Sequence, residues 1–178
     1  GRPLVSHSIA VITSLRDQGV VTGATAFVRA DDDAVAGLLR QAGIRLIMNP
    51  RSELGLAHSL RLGLGALAGL DAPPEAALVF LADQPSGPAE AAEEVVRAWQ
   101  LGGGAVVRPR YAATPDEPGH PVLLDRDVWG LAERLTGDQG LGHVLSNTPD
   151  LVVHVDVDGA NPDVDTPADL SRLDSPPR

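Results

Sequence analysis

The chain contains no lysine and no cysteine, has two Trp, one Tyr and two Phe, and lacks any long hydrophobic run. Without lysine, all 14 basic residues are arginine, so a Walker-type phosphate lysine, a Schiff-base lysine and a Ser–Lys pair are excluded within these residues. Without cysteine there is no disulfide framework, thiolate zinc site or iron–sulfur cluster. The few aromatics leave a core of Ala, Leu and Val and few platforms on which bases could stack. No apolar stretch approaches the ~20 residues that span a bilayer, and the N-terminus shows no signal-peptide pattern. The expectation is a cytoplasmic protein without a membrane partner. A net charge of −10 repels phosphate backbones and disfavours a nucleic-acid partner. The acidic, aromatic-poor surface suits a monomer.

At 178 residues and 43% hydrophobic content, the chain can bury one sizeable core. The reading is a single domain over 1–173 with a tail over 174–178. Because Gly1-Arg2-Pro3-Leu4 leads directly into a helix pattern, the first residues read as a start within a longer chain. Apolar spacing predicts a helix over Val5–Arg16 closed by Gly19. A β-branched run follows over Val20–Val28, then a helix opened by Asp31-Asp32-Asp33 and ended by Gly43, and a strand over Ile44–Met48. Asn49–Leu54 reads as a polar loop and Gly55–Leu70 as a helix. The unbroken apolar run Ala76–Ala82 reads as a central strand buried on both faces. Further helices are predicted over Ala89–Leu101, Asp127–Leu135, Gly140–Leu145 and Pro167–Leu173. Strands are predicted over Ala105–Arg108, Gly119–Leu124 and Leu151–Val157, with a turn over Thr114–Pro118. Alternating strands and helices in the first half imply a Rossmann-like three-layer α/β/α fold on a mostly parallel sheet. The mixed second half implies a small antiparallel or hairpin element.

Four local features carry chemistry. Leu78-Val79-Phe80-Leu81-Ala82-Asp83-Gln84-Pro85 is an apolar strand that delivers a carboxylate at its C-terminal end, where open α/β sheets bind ligands. Asp83 there suits Mg²⁺, which takes one or two carboxylates and completes its shell with phosphate and water oxygens, or it caps the next turn. Asp163 and Asp165 share one side if their segment is extended and can complete a metal site or accept hydrogen bonds from a ligand. Thr166-Pro167 also fits a helix start. In Gly119-His120-Pro121-Val122, glycine permits close approach and His120 is a versatile acid, base or donor, although a lone turn histidine is commonly structural. Gly55–Arg61 opens a helix after a polar loop, so its N–H groups can meet an anion, with Ser59 and Arg61 in its first two turns; an ordinary amphipathic helix is the plainer reading. Gly63-Leu64-Gly65-Ala66-Leu67-Ala68 fits a relaxed dinucleotide fingerprint but falls inside a helix pattern and is discounted. The remaining histidines lack metal-ligand spacing.

Together Asn49-Pro50 with Gly55 and Ser59-Leu60-Arg61, then Leu81-Ala82-Asp83-Gln84-Pro85, Gly119-His120-Pro121-Val122, Leu135-Thr136-Gly137-Asp138-Gln139-Gly140 and Asp163-Val164-Asp165-Thr166-Pro167-Ala168-Asp169-Leu170 resemble the molybdenum cofactor cytidylyltransferase branch of the MobA-like NTP transferases. Each motif is weak alone; five in order are specific. The resemblance implies an Mg²⁺-dependent transfer of CMP or GMP from CTP or GTP to a phosphorylated acceptor such as molybdopterin, with pyrophosphate released. It implies Asp83 and His120 as catalytic residues, and Asp83, Asp163 and Asp165 as the metal-binding carboxylates. It places Asn49, Gly55, Ser59, Arg61, Gln84, Gly119, Gly137 and Asp138 around nucleotide or acceptor. Small molecules are the implied partners, with a molybdoenzyme or chaperone as a possible protein partner. The family's first strand and Gly-rich loop, which carry an Arg and a Lys, have no counterpart here. The nicotine blue oxidoreductases resemble the same branch, so an NAD(P)H-dependent reductase is a second reading and a non-catalytic binding module a third.

Overall fold

The computed structural model describes residues 2–85, 89–166 and 168–169. Helix α1 (Val5–Asp17) is followed by strand β1 (Thr25–Arg29), α2 (Asp33–Gln41) and β2 (Arg45–Asn49). Then come α3 (Leu56–Ala68), β3 (Ala76–Val79), α4 (Ala89–Gln100), β4 (Val106–Tyr111), β5 (Val122–Asp125), α5 (Leu141–Leu145) and β6 (Val152–Val157). Short 3₁₀ segments lie at Ser52–Leu54, Arg126–Arg134 and Pro149–Leu151. The acidic run before α2 acts through one member: Asp32 is the N-cap and its Oδ1 accepts from the Val35 N–H at 3.2 Å. Thr166 and Asp169 form a reciprocal cap, with the Thr166 N–H and hydroxyl donating to Asp169 and the Asp169 N–H donating back to Thr166. The predicted helix over Pro167–Leu173 and the tail otherwise lie outside the described residues.

The hydrogen-bonded ladder forms two groups, β1–β2 and β3–β5–β4–β6. The β1/β2 and β4/β6 pairs are parallel, while β5 is antiparallel to both β3 and β4 and is the antiparallel element expected of the second half. Period-two alternation sorts the side chains onto two faces. Ala77, Val106, Val122 and Leu124 pack with Leu64, Trp129, Leu141 and Leu145 on the α3/α5 face. Val107 and Leu123 pack with Val95 and Trp99 of α4 on the other. Val28, Leu39 and Ile44 build a third cluster with Val5, Ile9 and Ile12 of α1. Helices therefore cover both faces of the strands in three layers.

Two expectations are corrected. Val20–Val28 is a strand only from Thr25, because the N–H groups of Val20 and Val21 bond back to the Leu15 carbonyl at 2.9 and 3.3 Å and finish the turn after α1. The Ala76–Ala82 run is not a central strand buried on both faces. Only Ala76–Val79 is in the ladder, at the edge of its sheet and mostly half-buried. Its partner β5 reaches Val122 opposite Val79 and is preceded by Pro121, which has no N–H to give.

Candidate active site

Past Val79 the chain leaves the ladder, and Phe80–Gln84 runs beyond the strand end. Asp83 is solvent-exposed there, and its backbone carbonyl accepts the Val164 N–H at 2.7 Å. Next to it, the Gln84 Nε2 donates to Asp163 Oδ1 at 2.7 Å. These two bonds, joining residues about eighty positions apart in sequence, bring both predicted acidic segments to one place. Among the described residues, no group of three or more His, Asp or Glu side chains could hold a metal ion. Asp83, Asp163 and Asp165 thus do not form a closed three-carboxylate cage, and a cation here would draw further ligands from substrate or water.

A cavity of about 460 Å³ opens beside this junction, lined by Leu56, Leu60, Val79, Gln84, Arg108 and His120 among others, with Asp163 and Glu117 as its acidic members. One wall is built from Leu56 and Leu60 of α3 and from Gly140–Gly142 at the start of α5, into which the 136–139 loop leads. Gly55 has φ 84° and ψ −173°, a region open essentially to glycine, and a Cβ there would lie 2.5 Å from the Gly137 carbonyl and from Asp138 Oδ1. That close approach lets the Ala57 N–H donate to the Gly137 carbonyl at 3.0 Å, and Arg61 Nη1 donate to the Leu135 carbonyl at 2.6 Å. Asn49 is buried; its Nδ2 donates to Ser59 Oγ at 3.0 Å and its Oδ1 accepts from the Arg51 N–H. The expected anion-binding helix start is therefore partly engaged within the protein. Asn49, Ser59 and Arg61 brace the wall, with Gly55, Gly137 and Asp138 at the seam.

His120 stands on the opposite side, in the turn before β5. Its carbonyl accepts from Tyr111 Oη at 2.7 Å and from Asn161 Nδ2 at 3.2 Å, while its Nδ1 is buried without a partner. Burial, reinforced by the Arg108 charge and opposed by Asp163, pushes the imidazole down to about 4. At neutral pH His120 is a neutral donor or acceptor and not a charged acid, which narrows the role expected of it. Tyr111 is pushed up to about 12, chiefly by burial.

The shift has a stability consequence. The unfolded histidine takes a proton near 6.5 and the folded one only near 4, so the contribution of His120 is complete above about 6.5. It is lost as pH falls toward about 4, by up to roughly 3 kcal/mol. Urea unfolding across this window should show the loss, and His120→Gln should flatten it. An unchanged slope in the variant would assign the loss to other groups.

Sequence reasoning missed Arg108. It sits on β4, is 6% exposed, and donates from Nε and Nη2 to the Gly119 carbonyl at 3.2 and 2.9 Å. Its signal was a lone charge in the apolar strand Ala105-Val106-Val107-Arg108.

A family model described as the MobA-like NTP transferase domain matches residues 1–152. A search of curated proteins finds no match. Among solved structures, Rv0371c in complex with manganese, from Mycobacterium tuberculosis H37Rv, is 26% identical with a TM-score of 0.72, over 96% of this chain and 85% of that one. The 4-diphosphocytidyl-2C-methyl-D-erythritol synthase from Anaerococcus prevotii is 15% identical with a TM-score of 0.74, over 98% and 87%. Molybdopterin-guanine dinucleotide biosynthesis protein A from Archaeoglobus fulgidus is 17% identical with a TM-score of 0.57, over 91% and 82%. The last two share the fold with this chain.

Proposed function

We propose, from the premise that the chain belongs to the MobA-like NTP transferase family, that it transfers CMP or GMP from the nucleoside triphosphate to a phosphorylated small molecule of the molybdopterin type. An acceptor phosphate oxygen attacks the α-phosphorus, the bond to the β-phosphate oxygen breaks, and pyrophosphate leaves. The observation that carries this reading is the junction of Asp83, Gln84, Asp163 and Val164 at the mouth of the cavity beside the β3 end.

Asp83 and Asp163 are the carboxylates for a divalent cation, Mg²⁺ or the Mn²⁺ named for the mycobacterial relative; Asp165 lies two residues further along the same segment. Such a cation, when bound, offsets charge on the phosphate oxygens. Gln84 fixes the Asp163 carboxylate through its amide. Gly119 and His120 line the acceptor side, and the neutral imidazole orients the acceptor without adding charge. Positioning and charge compensation are what phosphoryl chemistry asks of a protein, so the lack of a strong base is no obstacle.

Calorimetric titration of the full chain with CTP, GTP and NADPH, each with and without Mg²⁺ or Mn²⁺, tests the reading. One triphosphate should bind at least about 10-fold more tightly with metal than without it. Metal-independent binding of NADPH alone would move the protein to the reductases. Silence toward all three would favour a binding module.

A further inference from the structure

Arg108 is a buried cation with no anionic partner among the described residues. Its contacts among those residues are the two bonds to the Gly119 carbonyl. Alternation along β4 places Arg108 on the same face as Val106, toward α3 and α5, one step nearer the strand's C-terminal end. It therefore faces the cavity that His120 also lines. Nη1 has no partner among the described residues. Arg110, on the same face two residues on, shows the contrast: it is exposed and ion-paired with Asp156.

Removing a guanidinium from water is unfavourable unless an opposite charge or several acceptors replace the lost hydration, and one carbonyl replaces little of it. The surroundings reflect this, since burial holds the Arg108 guanidinium below its ordinary range and its charge helps keep His120 neutral. The two carboxylates on the cavity, Glu117 and Asp163, are exposed, and Asp163 is held by Gln84. Beside Arg108 lies a second unfilled group, the buried His120 Nδ1.

We propose that Arg108 binds the phosphate group of the acceptor with its outer guanidinium edge, beside the His120 ring on the same cavity, and so selects phosphorylated acceptors. The inference rests on the acceptor-pocket reading above. Arginine suits the task because its planar fork can hold the Gly119 carbonyl on one edge and an oxyanion on the other.

The test follows the imidazole ¹⁵N signals of His120 by NMR, assigned with His120→Gln, while the full chain is titrated with inorganic phosphate. The His120 signal should move saturably. Arg108→Gln should weaken the response at least about 10-fold, whereas Arg108→Lys, which keeps the charge but loses the fork, should weaken it only a few-fold. Circular dichroism checks that each variant is folded. If Arg108→Gln does not fold, an Arg108→Lys response below that of Arg108→Met overturns the proposal and an intermediate one supports it. An unresponsive His120 in the parent chain, or an unchanged affinity in Arg108→Gln, overturns it outright. Metal-dependent CTP or GTP binding is measured on the same samples. If triphosphate binds but phosphate does not reach His120, this inference fails alone; if phosphate reaches His120 through Arg108 but no triphosphate binds, the transferase reading fails and the anion site stands.

Discussion

Replacing Asp83 by Asn should lower the nucleotidyl-transfer rate by about 10²–10³-fold, the range found when one preorganised charge-stabilising group is lost. The side chain is exposed at the end of β3, and its structural tie is made by the backbone, whose carbonyl accepts the Val164 N–H at 2.7 Å. Asn keeps that bond and nearly the same shape, so the melting temperature should barely move. What it removes is the charge of one carboxylate proposed to hold the cation. Binding of Mn²⁺, followed by its paramagnetic signal, should weaken in parallel with activity. Full activity with intact Mn²⁺ binding in Asp83→Asn would remove Asp83 from the metal site.

The parts of this site that could be read from the sequence are those whose chemistry is local. Asp83 was visible because an apolar run ends on it, and Asp32, Gly43 and Thr166 because capping depends on a few adjacent residues. The short apolar segment Ala105–Arg108 was also read as a strand, but that reading ended it at Arg108, before Pro109. The structure continues to Tyr111, since β5 pairs only with Val106 and Val107 and β4 then has β6 as its ladder partner. A strand bonded on one side tolerates proline as an edge strand does. Arg108 was illegible for a related reason. Period two puts Arg108 and Arg110 on one face, yet one is buried and the other exposed, a difference set by the Gly119 turn folding over the first. The burial of β3 was overestimated because an apolar run reports what a strand would bury, not which strands pair beside it. Asn49, Ser59 and Arg61 were expected near a ligand; what the sequence does not show is that the 135–140 loop returns to α3, where the Leu135 carbonyl accepts from Arg61.

The turn that covers Arg108 should be the most sensitive point of the site's framework. Gly119→Ala is expected to destabilise the protein by about 2–3 kcal/mol, in the range of overpacking a close contact. For a chain of this size that corresponds to a fall of roughly 4–12 °C in Tm. A Cβ at Gly119 would stand 2.3 Å from the Pro109 carbonyl oxygen and 3.0 Å from Pro109 Cγ. The first is a backbone atom held by the parallel ladder to β6, where Pro109 lies opposite Val155, so no side-chain rotation relieves the clash. The turn must instead lift from β4. Lifting it withdraws the carbonyl that Arg108 Nε and Nη2 share and shifts His120, so phosphate binding should fall with stability. Gly130→Ala is the matched control, because a Cβ there meets nothing within 4 Å. It should leave Tm close to the parent value, consistent with the ±0.5 kcal/mol or so of surface changes. Thermal melts of the two variants decide the matter: equal Tm values would mean that the Gly119 turn does not press against β4 and that the enclosure of Arg108 has another origin.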